Sequence, residues 1–361
     1  MTGVRCALMR GGTSKGALLL AADLPPAGAD RDELLLRIMG SPDPRQIDGL
    51  GGAHPLTSKV GVVAQAAGPD ADVDYLFLQV AVDEPVVSPA QTCGNILAAV
   101  GPFAIERGLV PALDGSTEVR VRMVNTGGLA TLRVRTPGGV VGYDGDTELS
   151  GVPGTAAPVE IVLEPSGAPL LPTGRVLDRL DGLDATCIDN GMPSVLVRAA
   201  DLGRTGRESP AELEADSRLT ARVARIRAAA APLMGLATDL EASTVPKIVL
   251  VAPPGSGGVL GTRSFIPLRV HQAIGVLGAA SVAAAAALPG SVAHDVAVPA
   301  PGGEPVRVEH PTGFLDVGIA PAAGGGVVRT TVVRTARMIF DGTVYPGPTR
   351  LKEASHSRAI R

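Results

Sequence analysis

A lysine and a cysteine, each in a glycine-bearing segment, are the residues of this chain best suited to moving a proton on and off carbon. Lys59 ends the run Asp48-Gly49-Leu50-Gly51-Gly52-Ala53-His54-Pro55-Leu56-Thr57-Ser58-Lys59, a shaped loop that leads into a β-rich stretch from Val60 to Ala64. A lysine at such a junction can point into a cleft with its stem packed, where desolvation lowers the amine towards the range of a general base. The alternative is a lysine that snorkels from a sheet edge. Cys93 stands in Gln91-Thr92-Cys93-Gly94-Asn95-Ile96. With Thr92 as a helix N-cap, Cys93 falls in the first turn, where free N–H groups and the positive end of the helix dipole favour a thiolate. Gly94 lets a ligand approach the backbone, and the amides of Gly94 and Asn95 can hold a carboxylate. Against this stands a small buried cysteine at a helix start.

Lysine is scarce. Of 32 basic residues only Lys15, Lys59, Lys247 and Lys352 are lysine. Arginine stays protonated at any useful pH, so a lysine kept against that bias suggests a removable proton, although codon usage alone would also produce the excess. Lys247, after Pro246 where a strand begins, has no role legible in the sequence.

Anion-binding groups surround these two segments. Arg10-Gly11-Gly12-Thr13-Ser14-Lys15-Gly16 lacks the glycine before the lysine that a phosphate loop needs. It offers two cations, two hydroxyls and backbone amides, which suit a carboxylate as well as a phosphate. Ser58 adds a hydroxyl beside Lys59. Arg263, Ser264, Arg269 and His271 precede a second Gly-Ala helix and offer further anion contacts. No metal is expected, because the five histidines are scattered without HxH or HExxH spacing and the three cysteines lack CxxC. Serine-hydrolase chemistry lacks its GxSxG elbow. One thiol, one lysine and many anion-binding groups fit proton transfer beside a carboxylate or carbonyl with no cofactor.

Short β-rich runs must position these groups. Val73 to Val80, Glu118 to Val124, Ala130 to Val134, Val159 to Leu163, Ser194 to Val197, Lys247 to Val251 and Val327 to Phe340 read as strands, and Cys6 falls in another near the N-terminus. Helical pattern covers Arg31 to Met39, Ile96 to Arg107, Pro210 to Ala230 and Ala273 to Leu288. Strands and helices do not alternate, so α+β fits better than a doubly wound sheet. Pro-Gly-rich connections at Gly151 to Pro158 and Pro165 to Gly174 mark a boundary between halves. Each half has a glycine-containing turn running into an Ala-rich helix, which suggests two pseudo-duplicated domains facing each other. The expected division is 1–155 and 156–334, with a polar, disordered tail over 351–361.

Composition excludes several classes. With no Trp, three Tyr, five Phe and a net charge of −4, the chain has neither stacking platform nor basic footprint for nucleic acid. The apolar run Ala279 to Leu288 is too short to span a bilayer. No signal peptide is expected, since Arg5 and Arg10 bracket only four apolar residues, and three cysteines without an even framework lead one to expect a reducing, cytoplasmic setting.

Several motifs together resemble the PrpF family. They are Met9-Arg10-Gly11-Gly12-Thr13-Ser14-Lys15-Gly16, Gly40-Ser41-Pro42-Asp43 with Gln46-Ile47-Asp48-Gly49, Thr57-Ser58-Lys59, Asp74-Tyr75-Leu76-Phe77, Cys93-Gly94-Asn95 and Ile188-Asp189-Asn190-Gly191-Met192-Pro193. The resemblance implies a diaminopimelate-epimerase-like fold of two domains, each a curved sheet around a central helix, with the site in the cleft between them. It also implies that the chain end, about 335–350, returns to the first domain. Gln46 to Gly52, Asn95 to Ala98 and Arg263 to Pro267 followed by His271 look most like the branch that isomerises 4-oxalomesaconate in aromatic-acid breakdown. Carried onto this chain, the resemblance makes Lys59 and Cys93 the acid–base pair. Arg10, Ser14, Lys15, Ser58, Gly94, Asn95, Arg263, Ser264 and His271 become the contacts of a small tricarboxylate. A 2-methylaconitate isomerase, or a small-acid binding protein without activity, are the alternatives, and a homodimer is open to such a chain. Fold relatives that racemise amino acids use one cysteine from each domain. Here the second helix start lacks one, which favours a division of labour between Lys59 and Cys93.

Overall fold

The computed structural model describes residues 2–164, 169–236, 239–240, 243–299, 305–321 and 327–348. The tail at 351–361 lies outside the described residues. In the first half run β1 (Val4–Gly11), β2 (Ser14–Leu20), α1 (Ala29–Met39), β3 (Lys59–Gln65), β4 (Val73–Val80), β5 (Val87–Ser88), α2 (Gly94–Glu106), β6 (Gly115–Met123), β7 (Gly128–Thr136), β8 (Thr147–Leu149), β9 (Val152–Ala156) and β10 (Pro158–Leu163). The second half holds β11 (Asp178–Leu180), β12 (Leu183–Asp189), β13 (Pro193–Arg198), α3 (Pro210–Ala215), α4 (Ser217–Leu233), β14 (Lys247–Ala252), β15 (Leu260–Phe265), α5 (Val276–Ala286), α6 (Val292–Val296), β16 (Val306–His310) and β17 (Gly313–Pro321). The last strand, β18 (Val327–Val344), serves both halves.

Alternation of apolar and polar side chains dictates the strands. In β6, Thr117, Val119, Val121 and Met123 are buried while Ser116, Glu118 and Arg120 face solvent, the period-2 signature of a half-covered sheet. The central helices obey a different rule. Eleven of the thirteen residues of α2 and ten of the eleven of α5 are buried, so each helix is apolar all round and must be wrapped by sheet.

The sheet does that wrapping. Strands β1-β2-β3-β4-β6-β7-β10-β18 follow one another by hydrogen bonding, and β18 then pairs back onto β1 from Ala336 to Val344. That closes the first half around α2. Beyond β18 the order continues β17-β16-β15-β14-β13-β12-β11 as an open sheet. Its buried face packs on α5, whose alanines let the helix and sheet come close. Among the described residues no helix is long and apolar enough to cross a membrane.

Two expected elements differ. The helix expected over Pro210 to Ala230 is broken at Asp216, whose carboxylate accepts from the amides of Arg218 and Leu219 and so starts a new helix. A short polar side chain competes for backbone N–H groups more effectively than helical continuity does. The second central helix begins at Val276 instead of Ala273, because Gly275 keeps the extended φ/ψ of an N-cap.

Candidate active site

The two central helices point their N-termini at each other. A Cβ on Gly94, the first residue of α2, would stand 2.6 Å from the Cβ of Val276, the first residue of α5, so only glycine permits this approach. Neither N-terminus is capped by a side chain. The free first-turn amides and positive dipole ends of both helices therefore converge, a setting that favours anions. Around this junction opens a cavity of about 580 Å³.

Lys59 and Cys93 both line it. Lys59 opens β3 and is 6 % exposed. Its Nζ donates to Gln79 Oε1 at 2.8 Å and stands 5.0 Å from the centre of the Phe77 ring. Gln79 is itself oriented, its Nε2 donating to the carbonyls of Ser58 at 2.8 Å and Pro55 at 3.1 Å. Asn125 pins Phe77 from the far side by accepting from its N–H and donating to its C=O, each at 2.9 Å. The lysine thus approaches the cavity from a fixed frame.

Cys93 differs from expectation by one position. It occupies the N-cap of α2 itself, in extended conformation (φ −131°, ψ 101°), with Gly94 the first helical residue. Its side chain does not cap the helix, and its carbonyl is held by the Tyr75 hydroxyl at 3.2 Å. Thr92, expected to cap, makes no side-chain hydrogen bond to any described residue and faces the cavity instead. Cys6 and Cys187 are buried elsewhere, and burial pushes both thiols up to about 12. Cys93 is the thiol of the cavity.

Of the expected substrate contacts, Ser14, Gly94, Asn95, Ser264 and His271 line the cavity. The hydroxyls of Ser14 and Ser264, like that of Thr92, are buried with no protein partner among the described residues. Buried hydroxyls without partners are costly, so three around one cavity suit a ligand rich in acceptors. Asn95 spends its side chain partly on the turn before β2, donating to Thr13 Oγ1 at 3.2 Å. His271 accepts from the Ala273 amide through Nδ1 at 2.8 Å, which leaves Nε2 to carry the proton. Burial, reinforced by Lys247 and Lys59, lowers its pKa to about 4, so it faces the cavity as a neutral imidazole.

Four expected contacts do not line the cavity. The Arg10 guanidinium donates to the carbonyls of Gly12 at 3.0 Å and Thr335 at 2.9 Å, tying the first turn to the final strand. Lys15, next to Ser14 on β2, does not line the cavity, and its Nζ lies beside Gly52 in the loop that leads to Lys59. Ser58 is fully buried between the Val80 carbonyl at 2.8 Å and Gln46 Nε2 at 2.7 Å. Arg263 turns to the opposite face of β15 from Ser264 and donates to the carbonyls of Glu208 at 2.6 Å and Thr262 at 2.8 Å.

Ser58 belongs to the scaffold of the lysine loop, which Gln46 organises. Gln46 is buried at φ +45°, bonds Ser41 and Ser58 through Nε2, and accepts from the Ala53 amide at 2.9 Å. Gln46→Ala should lower stability by about 1–3 kcal/mol by stranding these buried groups, as measured by urea denaturation.

Lys247 is the residue that sequence reasoning left without a place. It opens β14 and lines the cavity with Lys59 and Cys93. Its one legible signal was position, since it begins a β-rich run just as Lys59 does.

Comparison with known proteins agrees with this architecture. The pattern of the PrpF protein family matches residues 1–347. The chain belongs to the PrpF family. Within it, the (4E)-oxalomesaconate Delta-isomerase of Novosphingobium sp. (strain KA1) is 52% identical over 350 residues, covering 96% of this chain and 98% of that protein. The 4-oxalomesaconate tautomerase of Pseudomonas putida (strain KT2440) is 52% identical over 352 residues, covering 96% and 97%. Among solved structures, a methylitaconate-delta-isomerase superposes with a TM-score of 0.81 at 36% identity and covers 96% of each chain. A hydroxyproline epimerase from Agrobacterium vitis, at 16% identity and TM-score 0.56 over 94% of this chain and 92% of that one, shares the fold alone. The fold is thus α+β and epimerase-like, one continuous sheet whose two halves each wrap a central helix.

Proposed function

We propose that this protein isomerises an unsaturated tricarboxylic acid, 4-oxalomesaconate, by moving a proton between two positions of its conjugated skeleton. The observation that carries this is one cavity lined by Lys59 and Cys93 beside two uncapped helix N-termini and three unpartnered hydroxyls. The relatives at 52% identity bear names of this reaction class and support the choice of substrate.

Lys59 takes a proton from the carbon that flanks the double bond. The electron pair left behind spreads through the conjugated system onto a carbonyl or carboxylate oxygen. Cys93 then delivers a proton at the other end of that system, so one C–H bond breaks, another forms, and the net change is a shifted double bond. Gln79 keeps the amine in place, and the amides at Gly94 and Asn95 with the hydroxyls of Ser14 and Ser264 receive the carboxylates. A positioned base supplies about two to four orders of magnitude, and preorganised donors around the developing oxyanion must supply much of the rest. No step calls for a cofactor, and we place the enzyme in the breakdown of aromatic acids in the cytoplasm, a setting that three free cysteines suit.

An ultraviolet assay tests the reading. Loss or shift of the conjugated absorbance on 4-oxalomesaconate, at a higher kcat/KM than on 2-methylaconitate, is expected. The reverse preference would move the substrate, and no change with either acid would leave a binding protein.

A further inference from the structure

The two halves repeat one local design, and the repeat gives Lys247 a counterpart. In the first half β1 runs antiparallel to β2, β2 parallel to β3, and β3 antiparallel to β4. In the second, β12 runs antiparallel to β13, β13 parallel to β14, and β14 antiparallel to β15. Lys59 is the first residue of β3 and pairs with Gly16; Lys247 is the first residue of β14 and pairs with Ser194. The helix starts correspond likewise, Cys93 at the N-cap of α2 and Gly275 at that of α5. Each half therefore contributes a lysine to the cavity from an equivalent place, while only one contributes a thiol.

The two lysines are held differently. Lys59 faces Gln79 across its strand pair and donates to it. One step beyond the Ile248–Phe265 pair, Lys247 has the apolar Ile266 as its neighbour, and its amine has no hydrogen-bond or ion-pair partner among the described residues. Its surface is half-buried and faces the cavity. Burial lowers the amine to about 8, Lys59 adds to the effect and Cys93 opposes it. Such an amine costs free energy in the unliganded protein and becomes favourable when an anion joins it.

The charge inventory of the wall points the same way. Arg10, Lys15 and Arg263 do not line it, and Arg269 lines it only from the solvent side, its side chain 86 % exposed and 3.4 Å from Glu214. Lys247 is then the half-buried cation that a tricarboxylate meets inside, beside the Lys59 amine. With Lys59 handling the proton, charge neutralisation falls to the other.

We infer that Lys247 is a substrate-binding residue whose ammonium pairs with a carboxylate of the substrate across the cavity from Lys59. The inference rests on the polycarboxylate reading of the site. Titration calorimetry with tricarballylate, a saturated tricarboxylate with no double bond to move, measures it directly. Lys247→Met should weaken binding by about thirtyfold or more, the loss expected when one partner of a buried charge pair is removed. Its unliganded melting temperature should be unchanged or raised, since no bond is lost, which a purely structural role would not produce. Lys247→Gln, polar but uncharged, should show the same loss and serves if the methionine variant does not fold. A folded variant that binds tricarballylate like wild type overturns the assignment alone. Wild-type protein that binds no tricarboxylate overturns the polycarboxylate reading and this assignment with it.

Discussion

Lys59→Met is expected to lower kcat/KM for 4-oxalomesaconate by about two to four orders of magnitude, the contribution of a positioned general base. Methionine fills nearly the same volume, and its thioether can pack on the Phe77 ring where the ammonium now stands, so the fold should survive. The change strands only Gln79 Oε1, whose amide keeps its two bonds through Nε2, and this should cost about 1 kcal/mol. Steady-state kinetics beside a thermal melt separate the two effects. A nearly unchanged melt with collapsed turnover identifies the amine as chemical. Full turnover would mean that the proton leaves by another route.

Cys93→Ala should act on the second half of the reaction. Because the thiol does not cap α2, alanine removes no capping bond, and the Cys93 carbonyl keeps its Tyr75 partner. The melting temperature should therefore hardly move. Product formation should fall by about two orders of magnitude or more, as for loss of a general acid. Lys59 still removes its proton in this variant, so substrate recovered from deuterated water should carry deuterium at the carbon that loses the proton. Mass spectrometry of that recovered substrate checks it. Absence of both product and label would assign proton removal to the thiol instead.

Much of the site was legible because its motifs are continuous in sequence. Lys59, Cys93, Ser14, Gly94, Asn95, Ser264 and His271 meet at one cavity. What sequence could not supply was the face each residue takes. Arg263 and Ser264, like Ser14 and Lys15, are neighbours in the chain that a strand sends to opposite sides, and a motif does not say which member faces in. Arg10 looked like an anion contact for its charge, yet its guanidinium is spent on two carbonyls that fasten β18 to the first turn. The helix cap went wrong by one residue because Thr92 has the right chemistry for an N-cap, while the chain stays extended through Cys93. Lys247 stayed silent for the opposite reason: nothing near it in sequence is unusual, and only the repeat of strand order, 188 residues further along the chain, shows its equivalence to Lys59.

The central claim is that Lys59 moves a carbon-bound proton. Incubating 4-oxalomesaconate in deuterated water with wild type and with Lys59→Met, and following the carbon-bound protons by NMR, tests it most directly. The account predicts that wild type exchanges a skeletal proton for deuterium as it isomerises the acid, and that Lys59→Met leaves every carbon-bound proton in place over the same period. Exchange by Lys59→Met at the wild-type rate would contradict it.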